Sequence, residues 1–426
     1  MRKNFVRGVA ALVLTGALAG CGNKDLITTP KTPLTSGLFA SYVAIGNSIT
    51  AGYQSGGILD STQRQSFAFL LAQQAGTTYN YPSLASPGCP PPIVNFQTGA
   101  RYPGAGTTST TCAGRANASA TLNNVGVPGA TTNDLTAVTS PTSNALTTLI
   151  LGGVTQIQKA IQANPTFVTI EIANNDWLPA GLTGALTPNA TLGSPGLTPT
   201  DSVIAQYARA VDQLVAARPN LKGVLFGVFP LQAPSALFPA ESLYTNPTLN
   251  AEFSAAAFAA GHTSAVDTVI YYPDCVGTGA LISIDIIQFW AAAGIPKIVS
   301  CIRGVPQEPY GDYFVLDAAK QDTINTAIAA WDSYISAKAD SLGWGYLDPE
   351  PLFVALKGSG AIPPFPNFAS PTQPFGQYIT LDGIHPSATA HQVIAGALIT
   401  LINTQFSVAI PALGAQPLPR RPMAMR

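Results

Sequence analysis

Three histidines occur in 426 residues, and one of them stands three positions after an aspartate, in Asp382-Gly383-Ile384-His385-Pro386. A carboxylate at that spacing, in a glycine-containing loop, can bond one imidazole nitrogen and leave the other free to take a proton. A serine hydroxyl is a weak nucleophile until such a base removes its proton. Ser48 is the candidate hydroxyl. It follows an apolar stretch that reads as a strand, and Gly46, Ala51 and Gly52 around it leave room for approach. The other histidines offer less. His262 has no carboxylate nearby before Asp267, and His391 falls inside a helical pattern and reads as structural. Ser48, His385 and Asp382 together would perform acyl transfer.

The elements that must position these residues follow from periodicity. Continuous apolar runs predict strands over 38–45, 123–127, 167–172, 223–229 and 345–347. Helical spacing predicts helices over 66–75, 154–163, 201–217, 316–342 and 387–402. Strands that are apolar throughout and alternate with helices imply a mostly parallel sheet covered on both faces. The expected fold class is therefore α/β, with three layers, α/β/α. Three stretches break the rhythm and read as insertions, at about 77–120, 178–199 and 232–311. The last is expected to sit over the carboxyl ends of the strands and line a groove, with Phe289 and Trp290 in its small core. Glu171, inside a strand, reads as a hydrogen-bonded structural carboxylate, Asp176 as a turn cap, and Trp177 as either a groove wall or packing.

Composition excludes several functions. Twenty Lys and Arg against 21 Asp and Glu give a net charge of −1, with 10% charged residues. That offers no basic stripe for nucleic acid. An apolar content of 46% excludes charge-driven disorder. At the N-terminus, Arg2, Lys3 and Arg7 precede an apolar stretch from Gly8 to Gly20, too short to span a bilayer. Leu18-Ala19-Gly20-Cys21 resembles a bacterial lipobox, which implies a signal peptide over 1–20 and a lipid on Cys21. A polar segment over 21–37 would then tether the protein to the envelope. Gly22 after the cysteine implies outer-membrane sorting in a Gram-negative host. Cys21 accounts for the odd one of five cysteines. Cys89, Cys112, Cys275 and Cys301 then permit two disulfides in three connectivities, of which proximity favours Cys89–Cys112 and Cys275–Cys301, or four free buried thiols. No cysteine spacing suits zinc, so neither metal nor cofactor is expected.

Four blocks taken in order carry a family resemblance. Gly46-Asn47-Ser48-Ile49 resembles the Gly-Asp-Ser-Leu block of the SGNH (GDSL) hydrolases. The run from Asn123 to Thr132 resembles their second block, Ala173-Asn174-Asn175-Asp176 their third, and Asp382-x-x-His385 their last. The resemblance implies a hydrolase domain over 38–403, followed by a tail over 404–426. It implies ester hydrolysis through an acyl-enzyme on Ser48. It also implies an oxyanion hole from the Ser48 and Gly129 backbone N–H groups and the Asn175 amide. Expected partners are an ester substrate and, through Cys21, a membrane; a monomer is expected. A carbohydrate O-deacetylase with the same site and a non-catalytic surface module are the alternatives. Two positions depart from the family pattern. Asn47 replaces Asp, keeping a capping acceptor without the charge. Ala173 replaces Gly, where a methyl is expected to tighten the backbone near Asn175 and narrow the groove.

Overall fold

The computed structural model describes residues 37–103, 114–115, 121–137, 145–259, 270–287, 298–301 and 314–414. Its centre is a parallel sheet in the order β1-β2-β3-β9, from β1 (Tyr42–Gly46), β2 (Phe167–Glu171), β3 (Lys222–Phe226) and β9 (Gly345–Leu347). The predicted segment 123–127 runs along the outer edge of β1. Ala44 N donates to Asn123 O at 2.7 Å, Val125 N to Ala44 O at 2.9 Å and Val127 N to Gly46 O at 3.0 Å.

Both faces of this sheet are buried, which explains why its strands lack polar alternation. Val43, Ile45, Val168, Ile170 and Leu225 pack into one core with the helices Gln156–Gln162, Thr200–Ala217 and Ala318–Leu342. Tyr42, Ala44, Phe167, Val224 and Phe226 pack into the other, with Phe67–Ala75 and Ala388–Phe406. The three-layer α/β expectation holds. The helix starts are set by side-chain caps: Ser66 accepts from Phe69 N, Thr155 from Gln158 N, Asp317 from Lys320 N and Ser387 from Ala390 N.

The structure shifts several boundaries; β3 ends at Phe226 rather than 229, and three others have a physical reason. The first strand begins at Tyr42, because residues 37–40 form a turn. The stretch 178–199 is not an excursion from its start, since the helix Asn174–Thr183 continues through Pro179 and Gly181. Val315–Leu316 does not open the long helix. It forms β8, which pairs antiparallel with β6 (Leu281–Ser283), itself antiparallel to β4 (Leu237–Pro239). An apolar pair ahead of a helix cap has no period of its own, so only its partners reveal it.

The expected insertion therefore closes on β8. It also holds a short parallel pair, β5 (Ile270–Tyr271) and β7 (Ile298–Val299). Its described core contains Phe238, Leu243, Phe253, Ile282 and Ile286; Phe289 and Trp290 lie outside the described residues. Cys275 and Cys301 form a disulfide across it, with Cα atoms 5.0 Å apart. Cys89 is disulfide-bonded as well; Cys112, like Cys21 and His262, lies outside the described residues. The insertion docks on the loop that carries the histidine motif, where Ala236 N donates to Gly383 O at 2.8 Å. No helix among the described residues is long and apolar enough to cross a membrane.

Candidate active site

Ser48 opens a single helical turn, Ser48–Ala51, at the carboxyl end of β1. Asn47 caps this turn, its Oδ1 accepting from Ile49 N at 2.9 Å. The substitution of Asn for Asp thus keeps the capping acceptor, and it adds a donor: Asn47 Nδ2 bonds Glu171 Oε1 at 2.9 Å. Gly46 is squeezed from both sides. A Cβ there would collide with the Glu171 carbonyl oxygen and Thr50 Oγ1. Gln156 grips the Gly46 backbone through both ends of its amide, donating to Gly46 O at 3.0 Å and accepting from Gly46 N at 3.2 Å.

The chain brings His385 to this turn from 337 residues away. Ser48 Oγ lies 2.9 Å from His385 Nε2, and His385 Nδ1 donates to Asp382 Oδ2 at 2.8 Å. The ring of Tyr53 packs on the imidazole at 4.8 Å between centroids. Asp382 is fixed by further donors. Its Oδ1 accepts from Thr380 Oγ1, Ile384 N and His385 N, each at 2.9 Å, and its Oδ2 from Gly56 N at 2.6 Å. Burial opposes ionisation of this carboxyl. The charge of His385, its side-chain bond and the His385 and Ile384 backbone N–H groups outweigh that and hold it well below the usual carboxylate range. Burial, and then the Asp382 charge, push the Tyr53 phenol up to about 12 and Asp285 of the insertion up to about 6.

Asn175 lies in the first turn of the helix Asn174–Thr183, and its Nδ2 donates to Ala130 O at 2.9 Å. That nitrogen carries a second hydrogen for a ligand. Gly129 precedes Ala130 in an exposed turn, with φ of +79°. It stands outside the pocket lining and meets the site through Ala130 and Asn175. Asp176 accepts from Thr132 N at 2.9 Å and Thr132 Oγ1 at 3.2 Å, tying the second block to the third; burial raises its carboxyl to about 6. Ala173 has φ of +84°. A left-handed alanine costs roughly 1–2 kcal/mol that glycine would not. Ala173 lines the cavity beside Trp177 rather than the pocket at Ser48, so its methyl bears on the site through the strained backbone ahead of Asn174.

The pocket at Ser48 is lined beyond the polar residues by Ile49, Trp177, Leu178, Phe229, Phe353 and Ile384, together with Ala233, Pro234 and Pro386. Trp177 both lines the pocket and packs into the core. From the insertion, Ala233 and Pro234 reach the pocket. Phe229 and Phe353 meet edge to face at 5.0 Å. Lys357, one turn after Phe353 on the helix Glu350–Gly358, donates to Gln232 O and holds that helix to the 229–234 loop. No group of acidic, histidine or cysteine residues among the described residues could hold a metal ion.

His391 is buried and neutral. Its Nδ1 accepts from Phe67 N at 3.2 Å, and burial lowers its imidazole to about 3. Spacing alone does not mark Gln156 or Phe353, each brought to the site from far along the chain, nor the part played by Asn174 inside the third block. Glu171 is structural, as its place in a strand predicts, and its partners are Asn47, Thr50 and Asn174.

The model of the GDSL-like lipase/acylhydrolase family matches residues 42–398. The chain belongs to this family. It is an ester-bond hydrolase by class. No curated protein sequence matches significantly. Solved structures similar to it include an active-site mutant of a family two carbohydrate esterase from Clostridium thermocellum, at 10% identity and TM-score 0.37. That alignment covers 87% of this chain and 64% of the other, so the chain spans less than two thirds of that relative's length. An extracellular lipase from Streptomyces rimosus is similar at 13% identity and TM-score 0.37, covering 85% of this chain and 99% of that one. A mutant acetyl-xylooligosaccharide esterase from Geobacillus Stearmophilus gives 11%, 0.37, 88% and 96% in the same order.

Proposed function

We propose that this chain hydrolyses carboxylic esters through an acyl-enzyme on Ser48. The observation that carries this is the unbroken hydrogen-bond chain from Ser48 Oγ through His385 to Asp382. His385 Nε2 takes the serine proton as Oγ attacks the ester carbonyl. Asp382 holds the imidazole in the tautomer with Nδ1–H and stabilises the imidazolium. The tetrahedral oxyanion is received by the Ser48 backbone N–H and the free Asn175 N–H; Gly129, the third donor that the family resemblance implies, stands outside the pocket lining and supports Asn175 through Ala130. Donors of this kind are worth roughly 2.7–4 kcal/mol each. Collapse expels the alcohol with the proton from His385. Water, activated by the same base, then releases the acid.

The second reading is a glycan O-deacetylase. The apolar wall of Trp177, Leu178, Phe229, Phe353 and Ile384 favours an acyl chain longer than acetyl. We expect kcat/KM on p-nitrophenyl esters to rise from acetate to octanoate, with acetylated xylan a poor substrate. Phe353→Ala should cost about 10-fold more on octanoate than on acetate, since each methylene in such a pocket is worth roughly 1–3 kcal/mol. Preference for acetate and acetylated xylan, with equal losses in the variant, would favour the deacetylase.

The anchoring of this enzyme through Cys21 rests on the lipobox-like sequence alone, with residues 21–37 as the tether and 38–403 as the hydrolase domain. Cys21→Ser should abolish lipid attachment and leave an unprocessed precursor, read by labelling cells with a fatty-acid probe. Normal acylation of the variant would remove the anchor from the account.

A further inference from the structure

The geometry points to Glu171 as a positioning residue for the reaction, a buried carboxyl that locks the nucleophile turn, the Asn174–Asn175 turn and one pocket wall into a single register. This rests on Ser48 being the nucleophile. Glu171 ends β2 and is fully buried. Its Oε1 accepts from Asn47 Nδ2 at 2.9 Å and Asn174 Nδ2 at 2.7 Å. Its Oε2 accepts from Thr50 N at 3.2 Å and Thr50 Oγ1 at 2.9 Å. Its own carbonyl accepts from Asn47 N at 3.2 Å.

Every one of these donors sits beside a reacting group. Asn47 precedes Ser48, Thr50 follows it by two, and Asn174 precedes Asn175. Asn174 passes the constraint outward, its Oδ1 accepting from Phe229 N at 3.0 Å, and Phe229 lines the pocket against Phe353. The amide orientations follow from the partners: Asn47 Oδ1 is committed to Ile49 N and Asn174 Oδ1 to Phe229 N, so both Nδ2 groups face the carboxyl. Asn in place of the family's Asp is what allows position 47 to donate. The left-handed Ala173 turns the chain between Glu171 and Asn174, so backbone strain coincides with this link.

A buried carboxyl is a costly way to gain stability alone. Burial pushes Glu171 up to about 8 despite its hydrogen bonds. What it supplies is orientation. A misplacement of about 1 Å at a reacting group can cost on the order of 100-fold in rate.

Glu171→Gln keeps the shape but puts an amide NH2, which accepts nothing, where one carboxyl oxygen accepts two hydrogen bonds. The test measures kcat and KM on p-nitrophenyl butyrate, the second-order rate of fluorophosphonate labelling, and Tm. We expect kcat and labelling to fall about 10- to 100-fold while KM stays within about twofold, the pattern of lost transition-state alignment. Leu398→Ala, in the core on the Phe67–Ala75 side, serves as the control: it should lower Tm and leave the labelling rate near wild type. Thr50→Val removes one donor and keeps the backbone, and it should slow labelling about fivefold, in keeping with one lost hydrogen bond. Wild-type kcat and labelling in Glu171→Gln would overturn the proposal. If that variant does not fold, wild-type labelling in Thr50→Val would overturn it. A wild-type enzyme that takes no label at all would instead remove the serine reading, and the role of Glu171 with it.

Discussion

Ser48→Ala should lower kcat/KM by about 10⁵- to 10⁶-fold on any ester the wild type accepts, the scale seen when a triad nucleophile is removed. The alanine methyl fits the space of the serine, and the turn keeps its Asn47 cap and its Gln156 grip on Gly46. The lost bond is the one to His385 Nε2, so stability should change by no more than about 1 kcal/mol. His385→Ala should fall to a similar level, because the two groups act as a unit. The residual rate over water should persist in both, since the Asn175 amide and the backbone N–H at position 48 stay in place. Steady-state rates with purified variants, beside circular dichroism melts, check this. A Ser48→Ala enzyme with more than about a hundredth of wild-type turnover would not fit a triad nucleophile.

Asp382→Asn is the second large effect, and it acts on rate and stability together. The carboxylate accepts from five donors, and an amide offers only one oxygen. With its oxygen toward Thr380, Ile384 N and His385 N, the Asn Nδ2 faces Gly56 N–H and His385 Nδ1. The imidazole then favours the tautomer that accepts at Nδ1 and carries its hydrogen on Nε2, where it cannot take the serine proton. A fall in kcat of about 10⁴-fold is expected from this wrong tautomer. Donors left unpaired cost about 1–3 kcal/mol each.

The pH dependence has a definite sign. The folded Asp382 carboxyl titrates below its ordinary value, so it contributes stability above the unfolded pKa of about 3.9 and loses it as pH falls further. His391, lowered to about 3 by burial, adds a loss that begins below its unfolded value of about 6.5. Glu171 runs the other way. Its carboxyl is raised to about 8, so its contribution is full below about 4.5 and fades as pH rises through 8. Melting curves should show the deficit of Asp382→Asn shrinking below pH about 4, with the part due to His391 unchanged. A deficit that stayed constant down to pH about 2 would mean the carboxylate is not the stabilised form.

Much of this was legible in the sequence because the informative residues form short local blocks. Ser48 follows its strand directly, and Asp382 and His385 are three apart, so their types and spacing expose them. The continuous apolar runs announced a sheet buried on both sides. What stayed hidden depends on partners far along the chain. Gln156 reaches Gly46 across 110 residues, and Glu171 reaches Asn47 across 124. Nothing about an isolated glutamine or glutamate marks such a role. The helix Asn174–Thr183 is absent from the predicted elements because Pro179 and Gly181 ordinarily disfavour a helix. Its first turn is held instead by Asp176, which is bonded to Thr132. The insertion, expected to line the groove, reaches the pocket through Ala233 and Pro234, and Phe229, just past β3, and Phe353, on the helix after β9, add to the wall. Their apolar character looked like ordinary core.

The most direct test of the central claim is to react the full-length enzyme with a fluorophosphonate, digest it and locate the adduct by mass spectrometry. The account predicts one adduct per chain, on Ser48, abolished in Ser48→Ala and slowed severely in His385→Ala and Asp382→Asn. An adduct on another residue, or esterase activity in a protein that takes no adduct, would contradict it.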